Sequence, residues 1–171
     1  MTAVAGRVFT ASQYNTFLRD NLLETEAAKA TGYGQAFAAT GRNAIAARQI
    51  SEASVSTSET LYYAAYANMT TVGPAVTATT GTSALVICTS LIGAPSGYYA
   101  YHSYAVSGAT TRDASDAGCT NWRATGSDQV RGSAVDLCTG LTPGVNTFTS
   151  RYKAPQGLVT FMYRSILVWP F

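Results

Sequence analysis

Turn-forming residues punctuate this chain at short intervals from about residue 43 onward, and that rhythm constrains the fold more than any other feature. Gly81-Thr82, Gly93-Ala94-Pro95-Ser96-Gly97, Thr142-Pro143-Gly144 and Pro155-Gln156-Gly157 join glycine to residues that favour tight turns. Between them lie runs that are short for helices and rich in Val, Ile, Thr and Tyr, which fit a pleated surface. Strands are expected over 58–69, 74–80, 84–92, 98–107, 119–124, 133–141, 146–154 and 158–169, and more weakly over 43–50. About eight short strands with turns every ~8–12 residues predict a mainly β protein, a jelly-roll-like β-sandwich. No βαβ alternation and no internal repeat competes with that reading.

Two runs carry finer expectations. ALVICTSLI (84–92) is the strongest buried strand, and YYAYHSYAVS (98–107) follows it across a turn as a hairpin partner would. In LVTFMYRSILVW (158–169), strict alternation places Val159, Phe161, Tyr163, Leu167 and Trp169 on one face and Met162, Ile166 and Val168 on the other. Both sets are apolar, as in a central strand covered on both sides. Arg164 stands inside this run. A buried guanidinium needs a carboxylate or several carbonyls, so Glu59, Asp136 or a group on a neighbouring subunit must face it.

The N-terminus has a different period. Thr10 is a good N-cap with Gln13 three residues on, and Phe9 and Tyr14 stand where a hydrophobic staple forms. Tyr14, Phe17, Leu18 and Leu22 then share one helical face. The helix is expected over about 10–29, stopped by Thr31-Gly32-Tyr33-Gly34. Residues 1–34 thus read as an anchoring segment ahead of a domain at 35–171, with an Ala/Gly-rich linker up to Gly41. One helix cannot bury an apolar face alone. Phe9, Tyr14, Phe17, Leu18 and Leu22 are therefore the candidate docking and assembly residues.

Composition narrows the function. Only 12% of residues are charged, about half the usual ~25%. Such a surface suits burial in an assembly, and it would also suit an extracellular β-protein. A net charge of +2 with no basic cluster argues against nucleic acid. There is no apolar run long enough to insert in a membrane and no basic-then-apolar leader, so the chain is expected to stay in the cytosol where it is made. Cys88 reads as a buried small hydrophobe. Cys119 and Cys138 are the two that could pair if their strands are neighbours.

No catalytic motif is present, and no cofactor or metal is expected. The one histidine, His102, lacks a neighbouring nucleophile and reads as structural. Asp113, Asp116, Asp128 and Asp136 lie in or near a polar middle segment without EF-hand spacing and read as solvated loop charges. An enzyme such as a depolymerase would need two carboxylates within roughly 10 Å of one another in a groove. The tyrosines are more telling: Tyr62, Tyr63, Tyr66, Tyr98, Tyr99, Tyr101 and Tyr104 crowd two strands, too many for one core. Tyr99, Tyr101 and Trp122 are the candidate interface or receptor contacts.

Two segments carry a resemblance. VFTASQYNTFLRDNLLE, with Thr10, Ala11, Asn15, Arg19, Asp20, Asn21 and Leu22, is similar to the opening of short tail proteins from phages of actinobacteria. GLTPGVNTFTSRYKAPQGLVTFMYRSILVWP (140–170) resembles the closing pattern of the same proteins, and SALVICTSL followed by YAVSGATT resembles their middle. The tyrosines of 98–104 and the two mid-chain cysteines depart from the pattern. The resemblance implies a minor tail protein: a structural, non-enzymatic virion component with an N-terminal anchor and a β-domain that trimerises. It implies a place at the tail tip or baseplate, docking to other virion proteins through the helix, with host attachment through a cell-surface glycan as an added role. Head decoration and a free-standing carbohydrate- or receptor-binding module are the alternatives.

Overall fold

The computed structural model describes residues 8, 10–23, 29–42, 44–126 and 128–171. Two compact units divide the chain, one ending at Ala47 and the other running Arg48–Phe171. In the first unit Thr10 and Gln13 form a reciprocal capping box, each side chain bonding the other's backbone N–H at 3.2 Å. Helical backbone follows as α1 (Ala11–Tyr14), a π-helical stretch (Asn15–Arg19) and α2 (Asp20–Leu23). Tyr14, Leu18 and Leu22 are exposed. Phe9 and the side chain of Phe17 lie outside the described residues, as do residues 24–28 of the expected helix. The stretch expected to be a linker is instead strand β1 (Gln35–Gly41), which pairs with β2 (Ala44–Gln49). Its small residues alternate well enough to pair once a partner strand is close.

The second unit is mainly β, an antiparallel eight-stranded sheet: β3 (Ser51–Val55), β4 (Glu59–Ala67), β5 (Ala75–Thr80), β6 (Ser83–Gly93), β7 (Tyr99–Gly108), β8 (Thr120–Arg123), β9 (Gln129–Thr139) and β10 (Gly144–Pro170). The 27-residue β10 is its hub. Along one side of β10 lie β5, β4 and β3 in turn; along the other lie β7 and then β6. β8 extends β7, and β9 extends β6. The result is a long four-track ribbon that doubles over at its middle. One half is β5-β10-β7-β8, built on the first part of β10. The other is β3-β10-β6-β9, built on the last part.

The doubling is visible in the core. Val76, Tyr104, Val106 and Phe148 from the first half pack with Ala84, Val86, Cys88, Cys138, Ile166 and Val168 from the second. Near the fold a second cluster gathers Met69, Ile92, Ala100, Tyr152, Val159 and Phe161.

Three expectations are corrected here. β6 and β7 are not hairpin partners; each pairs with β10, in different halves, because the Gly93–Gly97 segment turns the chain from one half to the other. Pro155-Gln156-Gly157 does not end a strand. β10 runs through it as a corner, held by Gln156 accepting from Tyr99 N–H at 2.7 Å. The Tyr98 ring occupies the space a side chain at 157 would need, so only glycine serves there.

The third concerns the faces of β10. Its inward residues are Asn146, Phe148, Ser150, Tyr152 and Ala154, then Val159 and Phe161, then Arg164, Ile166 and Val168. The phase changes once at the corner and again at Tyr163, where φ is +46° and the register with β6 slips between Met162 and Ser165. This is a β-bulge. It puts Tyr163 outside, and it groups Ile166 and Val168 with Val159 and Phe161 rather than opposite them.

The bulge also turns Arg164 inward, where it is 0% exposed. Of the partners expected, Glu59 is the one found, at 3.4 Å, with Thr57 accepting a bond at 3.0 Å. Asp136 is occupied by the Tyr104 hydroxyl. His102 is fully buried between Ser90 and Ser150, at 3.1 and 3.0 Å, and stacks on Tyr152 at 4.7 Å. Cys88, Cys119 and Cys138 are all free thiols.

Candidate functional site

The two halves present outer faces of opposite character. On the first, β10 turns Arg151 and Lys153 outward because Ser150, Tyr152 and Ala154 alternate inward. Beside them stand Ala105 of β7 and Ala64, Ala65 and Tyr66 of β4. The segment 109–119 crosses over this surface. Its residues Asp113, Ser115 and Asp116 border a cleft of about 680 Å³ whose lining includes Ala64, Ala65 and Ala105. Small side chains at strand positions that would otherwise carry bulk are what make the hollow.

The crossing segment is tied down along its length. It leaves β7 at Gly108, whose φ of +108° and close approach to the Val145 carbonyl exclude a side chain. Thr110 N–H donates to the buried Asn146 amide at 2.7 Å, and Arg112 exchanges backbone bonds with Val106 at 2.8 and 2.9 Å. The Arg112 guanidinium donates to the Thr139 carbonyl at 2.6 Å. Ser103 Oγ donates to the Ser115 carbonyl at 2.8 Å. A loop with this many anchors presents its carboxylates in a set geometry.

Charge organisation in the cleft is specific. Lys153 Nζ lies 2.5 Å from Asp116 Oδ1 and sits over the rings of Tyr66 and Tyr101, at 4.8 and 4.1 Å from their centroids. Tyr66 donates its hydroxyl to the same Asp116 oxygen at 2.8 Å. The bonds from Lys153 and Tyr66 lower the proton affinity of Asp116, while burial and then the Asp116 bond raise that of Tyr66. Arg151 donates to the Asn68 side chain. Asp113 and Asp116 both line this groove. Asp116 is held ionised by the bonds from Lys153 and Tyr66, as an acceptor. What the cleft is equipped to do is exchange hydrogen bonds with a polar ligand. Among the described residues no group of three His, Cys, Asp or Glu is placed to hold a metal ion.

The second half has an apolar outer face. Trp169 stands opposite Leu85, which stands opposite Leu137; Leu167 stands opposite Ile87, which stands opposite Val135. Val135 is 66% exposed, Leu137 56% and Trp169 36%. In the next row Thr89 and Ser133 bond each other at 2.8 Å, so their hydroxyls are mutually satisfied. Charge returns only at the margins, with Glu52 on edge strand β3 and Arg131 on β9. The apolar run at 84–92 thus faces the core with only half of its residues.

The residues singled out from sequence scatter. Tyr99 and Tyr101 lie on the outer face of β7, half-buried, with rings 6.2 Å apart, and Arg123 stands over Tyr99 at 5.5 Å. Tyr101 adjoins the cleft through Lys153. Trp122 does not belong with them: paired with Ala100, it points inward and packs on the second core cluster. Sequence reasoning missed Arg151 and Lys153, although the alternation about Phe148 and Tyr152 already put both on the outside.

Among the described residues no helix is long and apolar enough to cross a membrane. No family model and no curated protein matches the chain.

Proposed function

We propose that this chain is a structural virion protein: a homotrimeric tail-tip or baseplate subunit with a jelly-roll body, docked to other virion proteins by its N-terminal helix. The jelly-roll reading is supported by the pairing order, since β3-β10-β6-β9 and β5-β10-β7-β8 are the two four-stranded sets that a rolled antiparallel ribbon produces. The assembly reading is carried by one observation, the uncovered apolar outer face of β3-β10-β6-β9. An antiparallel sheet commonly turns one polar face to water. This one offers Trp169, Leu85, Leu137, Leu167, Ile87 and Val135 instead, and contiguous apolar patches mark interaction sites.

A second copy of the chain is the occupant that fits. Glu52 and Arg131 stand at opposite margins of the face, so head-to-tail placement sets the negative edge of one subunit against the positive edge of the next. Heterologous contacts of this kind close into a ring when the rotation between neighbours is a whole fraction of a turn, and in a ring of three the subunits would turn their apolar faces toward one axis. The anchor role of the helix is supported by exposure of Tyr14, Leu18 and Leu22, and the tail assignment by the resemblance of the two terminal segments. No catalysis is part of the proposal.

Light scattering on the full-length protein tests the assembly. A trimer is expected, falling to monomer in Val135→Asp/Leu137→Asp with the β circular-dichroism signal kept. A wild-type monomer, or a double variant that remains trimeric, removes the face from the argument. Antibody labelling of purified particles tests the location. Label at the tail tip is expected, label on the head would favour decoration, and unlabelled particles would end the virion reading.

A further inference from the structure

The cleft on the polar half holds hydrogen-bonding groups that the protein leaves open. Lys153 and Tyr66 both converge on Oδ1 of Asp116, so Oδ2 accepts nothing among the described residues. The Asp113 carboxylate makes no hydrogen bond or ion pair there either, and Ser115 engages through its carbonyl alone. Arg151 spends Nη1 on Asn68, which leaves Nε and Nη2 as donors. Two acceptor carboxylates, one donor guanidinium and a hydroxyl thus surround a floor that includes Ala64, Ala65 and Ala105.

Three classes of ligand can be compared with that arrangement. Asp113 and Asp116 balance Arg151 and Lys153, so the cleft gives a phosphate or carboxylate no net attraction. An apolar ligand would strip water from charged groups without replacing their hydrogen bonds. A neutral polyhydroxylated ring meets both demands. Each hydroxyl donates and accepts, so neighbouring hydroxyls can donate to a carboxylate and accept from the guanidinium, while the ring's C–H face lies on alanine methyls. The cleft volume falls within the roughly 300–1,000 Å³ of small-molecule sites.

We propose that this cleft is a binding site for a neutral saccharide, with Asp113, Asp116 and Arg151 contacting its hydroxyls. Lys153 is a positioning residue: clamped between Tyr66 and Tyr101, it holds Asp116 in place. The inference stands on the cleft alone and does not require that the chain belong to a virion.

Saturation-transfer NMR and calorimetric titration of the full-length protein test it, with glucose, galactose, mannose and N-acetylglucosamine as neutral probes and glucuronate and inorganic phosphate as anionic ones. At least one neutral sugar is expected to bind. Asp113→Asn and Arg151→Gln should each weaken it tenfold or more at unchanged melting temperature. Asp113 is exposed and outside the core, so its variant reports on binding even if the Arg151 variant is destabilised. Silence with all four neutral sugars overturns the proposal. So does binding that neither cleft variant weakens, or a preference for glucuronate or phosphate. Any of these would leave the mass measurement on the apolar face untouched, so the two ideas fail separately.

Discussion

One buried and one half-buried ionisable residue, His102 and Glu59, contribute to how this protein responds to acid. Burial, and then the charge of Arg164, push His102 down to about 3 from an ordinary value near 6.5. Above about pH 6.5 neither the folded nor the unfolded chain is protonated there. Between 6.5 and 3 only the unfolded chain takes the proton, so stability should fall as pH falls, by roughly 1.4 kcal/mol per unit at the steepest. Urea midpoints measured from pH 7 to 4 should show that slope, and His102→Gln should flatten it; a variant with the wild-type slope would count against this assignment. Glu59 acts in the same direction. Burial raises its pKa, but hydrogen bonds from Thr71, the Arg164 charge and Thr57 outweigh it and hold the pKa below the usual range, so its contribution is lost in acid. The Arg164–Glu59 pair makes a further prediction. Glu59→Ala leaves a fully buried guanidinium without its counter-charge and should cost about 3–5 kcal/mol. Replacing both residues, as Glu59→Leu/Arg164→Met, should recover most of that loss in the same denaturant titration.

β10 is the element on which the fold depends, and its two phase changes decide which residues are core. The corner at 155–158 sends its two parts into different halves, and the bulge at Tyr163 re-aims everything after it. A tyrosine at φ +46° is strained, at a cost on the order of 1–3 kcal/mol. Tyr163→Gly should therefore keep the fold and change stability by no more than about 1 kcal/mol, because relief of strain offsets the added freedom of the unfolded chain. Deleting Tyr163 should also keep the fold. It removes the extra residue of the bulge, so plain alternation from Phe161 keeps Arg164, Ile166 and Val168 inward and Leu167 and Trp169 outward, and we expect cooperative thermal unfolding to survive. A deletion variant that loses cooperative unfolding would mean that Tyr163 is not the extra residue that sets the register.

At the scale of the whole molecule, one body carries two unlike outer surfaces. The hub strand serves both: its first part presents Arg151 and Lys153 to the cleft, and its last part presents Leu167 and Trp169 to the apolar face. Assembly through one surface leaves the other free for a ligand. Both lie within Arg48–Phe171, which contains both core clusters. A chain beginning at Arg48 should thus fold on its own, melt cooperatively, and keep the oligomeric mass of the full-length protein. Loss of the oligomer on that truncation would move the contact to the N-terminal unit and its helix.

The sequence alone determined what depends on near neighbours. Strand type and approximate position followed from side-chain alternation and turn residues, the capping box of Thr10 and Gln13 from their spacing, and the need of Arg164 for a carboxylate from the energetics of burial. Tertiary structure decided what depends on residues distant in the chain. The pairing of β6 and β7 with β10 rather than with each other could not be read locally, because every strand here offers the same backbone groups. The inward turn of Trp122 and the true faces of β10 were hidden for a related reason: one bulged residue inverts all later side chains, and no residue type announces a bulge. The cleft brings together residues 64–66, 105, 113–116, 151 and 153, four separate stretches. Each looks ordinary by itself, and only the doubled ribbon makes them a site.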